Sequence, residues 1–248
     1  MQRFFAERDQ IDEALHRIRI TGEDVNHIRN VLRMKEGEEL WVSDGRKKEY
    51  HCSIEKLEEE GVLLHILYAQ EPDYELPSRI ILFQGLPKSD KMEWIIQKAV
   101  ELGASGIVPV ANKRCVVRFD EKKAAKKTER WQEIAKSAAK QARRMCVPEV
   151  FPVMNWQEAL SFAEGLDVLL LPYELCGDIR KTREILSGIR PGQSIGIFIG
   201  PEGGFDEEEV NCAQEKGALT LSLGKRILRT ETAGMALLSV LMMNLERD

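Results

Sequence analysis

Two short loops hold the residue types best suited to chemistry. The first, IGPEGGF (199–205), offers Gly200, Gly203 and Gly204, which let a backbone turn sharply and approach a ligand closely. Glu202 adds a carboxylate able to accept from a hydroxyl or an amine. The second, LGKRILRTETA (223–233), sets Arg229, Thr230, Glu231 and Thr232 between the apolar Leu228 and Ala233. An arginine just ahead of a helix N-terminus puts a fixed cation beside backbone N–H donors, an arrangement that stabilises a developing anion. Simpler roles stay open: a plain strand-to-helix turn for the first loop, and for the second a helix opened by Thr230 or Glu231. The standard nucleotide motifs do not apply. Gly224-Lys225 is followed by Arg226 rather than Ser or Thr, with no glycine at P-loop spacing, and Gly200-Pro201-Glu202-Gly203-Gly204 is not GxGxxG. A ligand with ribose or amino groups suits the loops better than a triphosphate.

Each loop follows an apolar run and precedes a helical pattern, which predicts that both lie at the carboxyl ends of neighbouring strands. Strand patterns at 79–84, 106–110, 167–171, 195–199 and 218–223 alternate with helical ones at 91–102, 122–145, 156–163, 207–216 and 231–245. Such alternation implies a parallel sheet covered on both faces. Met92, Ile95, Ile96, Ala99 and Val100 form the buried face of the first of these helices, which Gly103 closes, and Asp206 with Glu209 forms a capping box. The first seventy or so residues read differently, as a small β-rich barrel or sheet. Strands are expected at 16–20, 40–43, 49–57 and 61–68, with a tight turn at Asp44-Gly45. One helix, capped by Thr21, presents Val25, Ile28, Val31 and Leu32 on one face. QEPDYELPS (70–78) reads as a linker, and domains are expected at 1–72 and 73–248.

At 248 residues and 43% hydrophobic content the chain can bury a substantial core, and its apolar runs are too short to span a bilayer. Cys52, Cys115, Cys146, Cys176 and Cys212 are odd in number and never spaced CxxC, which argues against disulfides and a zinc site and favours a reducing cytoplasm. His16, His27, His51 and His65 form no metal-binding pair, so no metal is expected. A net charge of −5 discourages a nucleic-acid partner, but its distribution does not: residues 113–144 hold twelve Lys or Arg against four Asp or Glu. That excess suits a phosphate backbone as well as it suits an ordinary solvated helix face.

The paired loops, together with KMEWIIQKAVELG (91–103), RWQEIAKSAAKQARR (130–144), Val147-Pro148 and NVLRMKEGEELWVSDG near the start, resemble the bacterial 16S rRNA uracil-N3 methyltransferase family of the SPOUT superfamily. The resemblance covers nearly the whole chain. It implies an α/β fold: a C-terminal SPOUT-type domain with a mostly parallel sheet and a deep trefoil knot, plus a small N-terminal PUA-like RNA-binding barrel. It also implies a homodimer, bent S-adenosylmethionine as cofactor, and methylation of uridine 1498 at N3 in 16S rRNA of the small ribosomal subunit. The family's cofactor contacts correspond to Leu171 and Pro172, to Gly200, Pro201, Glu202, Gly203 and Gly204, and to Leu223, Gly224, Ile227, Leu228, Arg229, Thr230 and Ala233. LLLPYE (169–174) departs somewhat from the family's first knot loop.

Methyl transfer to uracil N3 requires loss of a weakly acidic proton while negative charge develops on the ring. Arg229 is the expected stabiliser of that charge, with Glu231 or Glu202 as proton acceptor. RNA contacts are expected from Arg3, Arg29, Arg33, Lys88, Lys91, Arg114, Arg118, Arg143 and Arg144. Two other classes remain open: a SPOUT methyltransferase acting on another RNA, such as a tRNA ribose, and a non-catalytic RNA-binding ribosome-assembly factor.

Overall fold

The computed structural model describes residues 2–174 and 176–246, and contacts divide the chain into two compact units. One comprises Met1–Glu75 with Ala139–Val147, the other Leu76–Ala138 with Pro148–Asp248. Ala139–Val147 joins the first unit through named bonds: the Ser43 hydroxyl donates to the Met145 carbonyl at 2.8 Å, and Arg144 forks Glu75.

The first unit is a six-stranded sheet made of β1 (Arg3–Phe5), β2 (Ile11–Asp12), β3 (Arg17–Ile20), β4 (Glu39–Ser43), β5 (Glu49–Leu57) and β6 (Val62–Gln70). Its order is β1-β4-β5-β6-β3-β2, antiparallel except for β1 beside β4. Alternate residues of β4 to β6, among them Leu40, Val42, Ile54 and Leu64, are wholly or almost wholly buried on one face. Two register shifts between β5 and β6 add local twist, which helps the sheet curl around that core.

Three local expectations are corrected here. Asp44-Gly45 does not make a two-residue turn; the loop spans 44–48, because the Asp44 carboxylate accepts from the N–H groups of Arg46, Lys47 and Lys48. Thr21 does not cap the helix: α1 (Glu23–Asn26) starts after Gly22, whose φ is +75°, and the Thr21 hydroxyl instead accepts from the Gln10 amide. After α1 the chain enters a π-helical turn (His27–Val31), closed by the Leu32 N–H to the His27 carbonyl. The wider turn keeps Val25 and Ile28 buried but leaves Val31 63% exposed, so the expected four-residue face is broken.

The second unit is wholly parallel. β7 (Arg79–Gly85), β8 (Gly106–Ala111), β9 (Glu149–Val150), β10 (Met154–Asn155), β11 (Val168–Pro172), β12 (Ser194–Ile199) and β13 (Leu219–Leu221) form one sheet in the order β10-β8-β7-β12-β11-β13, with β9 also beside β8. Residues 80–83 and 195–199 are buried in near-continuous runs, as a sheet covered on both faces demands. Phe83 and Phe198 stack across the central pair at 4.3 Å between centroids.

The longer helices are α2 (Lys91–Glu101), α3 (Glu121–Gln141), α4 (Trp156–Ala163), α5 (Ile179–Gly188), α6 (Glu207–Glu215) and α7 (Thr230–Leu245). α2 buries its five expected residues, and Gly103 at φ +89° ends it while Ala104 N–H reaches back to the Ala99 carbonyl. The Asp206–Glu209 capping box of α6 is present in full. α3 stops before Met145, because Arg143 adopts φ +59° and leaves helical geometry. α5 has no counterpart in the sequence expectations; Thr182 is its one fully buried residue, with Ile185 and Leu186 half-buried on the same face. Because every strand pair is parallel, the loops after β11, β12 and β13 leave the sheet on the same side.

Candidate functional site

Those three loops enclose a cavity of about 480 Å³, within the usual size of a small-molecule site. Its floor is set by backbone fit. A Cβ placed on Gly85, the last residue of β7, would stand 2.6 Å from the Pro201 nitrogen, so the 200–204 loop lies directly against a bare strand end. The Thr230 hydroxyl locks it from the other side, donating to the Gly200 carbonyl at 2.6 Å and accepting from the buried Gln84 amide at 2.8 Å. Gly204 at φ +67° and Gly224 at φ +107° supply the two left-handed turns that only glycine makes without strain. Among the described residues, the backbone N–H groups of Gly203 and of 225–228 have no partner within the protein.

Charged groups line one end. Glu202 accepts from the Lys88 N–H at 3.0 Å and from the Lys91 ammonium at 3.1 Å. Partial burial pushes its carboxyl up, but these bonds outweigh it and hold the group below the usual carboxylate range. Lys91 also stands 3.4 Å from Glu231 and so bridges two carboxylates; its ammonium is held above its ordinary value, chiefly by Glu202. Arg229 occupies the N-cap of α7, and its carbonyl accepts from the N–H groups of Thr232 and Ala233. Its guanidinium is exposed and has no partner among the described residues.

The expected cofactor residues converge, with one exception. Pro172, the 200–204 loop and Leu223, Gly224, Ile227, Leu228, Arg229, Thr230 and Ala233 all line the cavity. Leu171 does not; it is fully buried in the core beneath, because the pleat of β11 turns it away from Pro172. Tyr173 and Glu174 line the cavity and were not among the expected residues. The one signal for them was their place directly after an apolar run.

The expected RNA contacts separate into three groups. Arg3 and Arg144 are corrected: Arg3 pairs with buried Glu49 and its side chain is 7% exposed, while Arg144 grips Glu75 at 2.6 Å and is 5% exposed. Neither can reach a phosphate without abandoning its carboxylate, wholly buried Glu49 for Arg3 and partly buried Glu75 for Arg144. Lys91 is committed to Glu202 and Glu231, Arg29 donates to the Glu58 and Glu59 carbonyls, and Arg114 leans on the Gly203 carbonyl and Asp206. Arg33, Lys88, Arg118 and Arg143 are exposed. Their side chains enter no ion pair among the described residues.

The cavity suits an adenosyl amino acid. It offers backbone donors, a carboxylate held ionised for a hydroxyl or an ammonium, and apolar walls from Leu223, Ile227 and Leu228. A triphosphate would instead face the Glu202 carboxylate.

Comparison with known proteins agrees with that chemistry. A family model described as an RNA methyltransferase domain matches residues 74–242, and one described as an RNA methyltransferase PUA domain matches 20–67. By class, then, the chain is an RNA methyltransferase with a PUA domain. It is 42% identical to the ribosomal RNA small subunit methyltransferase E of Bacillus subtilis (strain 168), over 97% of this chain and 96% of that one. The solved structure of a ribosomal RNA small subunit methyltransferase E from Neisseria gonorrhoeae bound to S-adenosyl methionine superposes with a TM-score of 0.85, 35% identity and 98% coverage of both chains. A Legionella pneumophila putative methyltransferase in complex with the bound cofactor SAM gives 0.87 and 32%, covering 98% of this chain and 97% of that one. The chain belongs to the ribosomal RNA small subunit methyltransferase E family.

Proposed function

We propose that this chain methylates small-subunit ribosomal RNA with S-adenosylmethionine as methyl donor, at N3 of uridine 1498, the position implied by its family resemblance. One observation carries the reading: the cavity between the loops after β11, β12 and β13, in a chain that shares its fold with relatives solved with this cofactor. When bound, S-adenosylmethionine supplies an electrophilic sulfonium methyl and leaves as a neutral thioether.

The residues divide the remaining work. Gly200, Gly203, Gly204 and the 225–228 backbone bind by close approach and N–H donation. Glu202, ionised and fixed by Lys88 and Lys91, accepts from a hydroxyl or ammonium, and its lowered pKa makes it a poor acceptor for the uracil proton. Glu231, two residues beyond Arg229 in the first turn of α7 and paired with Lys91, is the remaining candidate acceptor, although it does not itself line the cavity. Arg229 and the α7 N-terminus together stabilise negative charge on the uracil ring. RNA is held outside the cavity by Arg33, Lys88, Arg118 and Arg143. A homodimer, a trefoil knot formed by the three loops, and a cytoplasmic location belong to the same reading.

The test is incubation with S-adenosylmethionine and small ribosomal subunits lacking the modification, followed by nucleotide mapping. A methyl group at N3 of the expected uridine is the predicted product. A methyl group elsewhere, or RNA binding without transfer, would replace the reading with another RNA target or a non-catalytic assembly factor.

A further inference from the structure

A second cavity lies in the methyltransferase unit, outside the site described above. It measures about 340 Å³ and is bounded by the 86–90 loop, by Val117 and Phe119, and by one side of α3. Its lining differs from that of the first cavity. Phe119 and Trp131 present two rings with centroids 6.2 Å apart, inclined at 59°. The Lys123 ammonium stands 5.4 Å from the Phe119 centroid, and Lys127, one helical turn on, lines the same cavity. Asp90 faces them from the other wall.

Two features mark this as more than a packing gap. Trp131 is 2% exposed, yet its indole N–H has no acceptor among the described residues. The indole N–H of Trp156, packed in the sheet core, is in the same state, but Trp131 also lines this cavity, where a ligand can accept from it. The charge pattern is the second feature. Arg130 is paired with Glu93 and Lys140 with Asp24, but Lys122, Lys123, Lys126 and Lys127 enter no ion pair among the described residues. Of these, Lys123 and Lys127 border the cavity, with Asp90 and the Arg130-paired Glu93 among its other lining residues.

We propose that the cavity is a nucleotide subsite, which takes one unpaired base of the RNA substrate flanking the methylated base. The base packs on Phe119, an acceptor on its edge meets the Trp131 N–H, and its phosphate lies against Lys123 and Lys127. Aromatic rings flanked by ammonium groups are the general means of holding single-stranded RNA, and a target base in structured RNA must have its neighbours splayed apart. One hydrogen bond links the two cavities: the 86–90 loop bordering this one donates the Lys88 N–H to Glu202 in the other. The inference rests on the RNA-methyltransferase reading, which supplies the ligand class.

The experiment uses the full chain with two probes. One is unmodified small subunits; the other is a set of single-stranded RNA oligonucleotides spanning the target, each with one abasic nucleotide. Trp131→Phe keeps a ring and removes the donor, while Lys123→Ala with Lys127→Ala removes charge from the rim of the cavity. Both variants should raise KM for the subunit roughly fivefold to thirtyfold, with kcat and S-adenosylmethionine Kd unchanged. One abasic position beside the target should weaken wild-type binding by a similar factor and leave Trp131→Phe unaffected. A wild-type KM in both variants, or equal loss at every abasic position, overturns the subsite and leaves the methyltransferase reading intact. Trp131-dependent oligonucleotide binding by a wild-type chain that transfers no methyl group sustains the subsite and removes that reading.

Discussion

Arg144 in the first unit and Arg229 in the second are the same side chain in opposite states. Arg144 is nearly buried, and its guanidinium bonds to both oxygens of Glu75, with contacts from 2.6 to 2.9 Å. Arg229 is exposed at the start of a helix, beside a cavity, with no carboxylate on it. A desolvated cation must be neutralised or the fold loses by it. A cation meant for charge that exists only briefly must be left unneutralised and already in place. Pairing, and not local charge density, separates the two arginines, and the unpaired state of Arg229 is the one its proposed role requires.

Four experiments probe that contrast. Arg144→Ala should have the largest effect, leaving Glu75 partly buried without its partner and costing about 3–5 kcal/mol, read as a lower denaturant midpoint with turnover per folded molecule unchanged. An undiminished midpoint would break the contrast at its structural end. Arg229→Ala should do the reverse: a wild-type midpoint, unaltered cofactor affinity, and turnover reduced roughly tenfold to a thousandfold. Equal turnover would remove Arg229 from the reaction.

Thr230→Val tests the frame that holds Arg229. It strands the Gln84 amide and the Gly200 carbonyl at a cost of about 1–3 kcal/mol, and calorimetric titration should show weaker cofactor binding. The smallest effect concerns Glu202. Its pKa is lowered in the folded chain, so the stability it contributes is present above the ordinary value of 4.5 and disappears as pH falls through the lowered one. The midpoint difference between wild type and Glu202→Gln should therefore shrink as pH drops below about 4.5. A gap that stays constant down to pH 3 would mean that Lys88 and Lys91 do not hold the carboxylate ionised.

The second unit was largely legible in the sequence because its signals are local. Apolar runs mark β7 and β12, the five buried positions of α2 recur at helical spacing, and Asp206 lies three residues before Glu209. The loops 199–205 and 223–233 were legible for the same reason. What escaped depends on contacts between residues distant in sequence. Nothing near Arg144 announces Glu75, 69 positions away, and nothing near Lys91 announces Glu202, 111 positions away. Both lysine and arginine therefore read as free basic charge. The π-helical turn that exposes Val31 escaped because a single widened turn leaves no mark on apolar spacing. α5 escaped because its face is short and broken, with a threonine as its one fully buried residue and Ile185 and Leu186 only half-buried beside it.

The bare end of β7 has one more consequence. With Gly85 leaving no room between the sheet and Pro201, and Thr230 holding Gly200 from above, the 200–204 loop cannot shift without the sheet. That wall of the cavity is therefore preorganised, and binding there forfeits little conformational entropy. Accommodation falls to 225–228, where Ile227 is 86% exposed and the backbone N–H groups have no internal partner among the described residues. The receptor is thus half anvil and half hand: a fixed surface that defines the ligand's pose, and a short strip of chain whose N–H groups are left open to meet it.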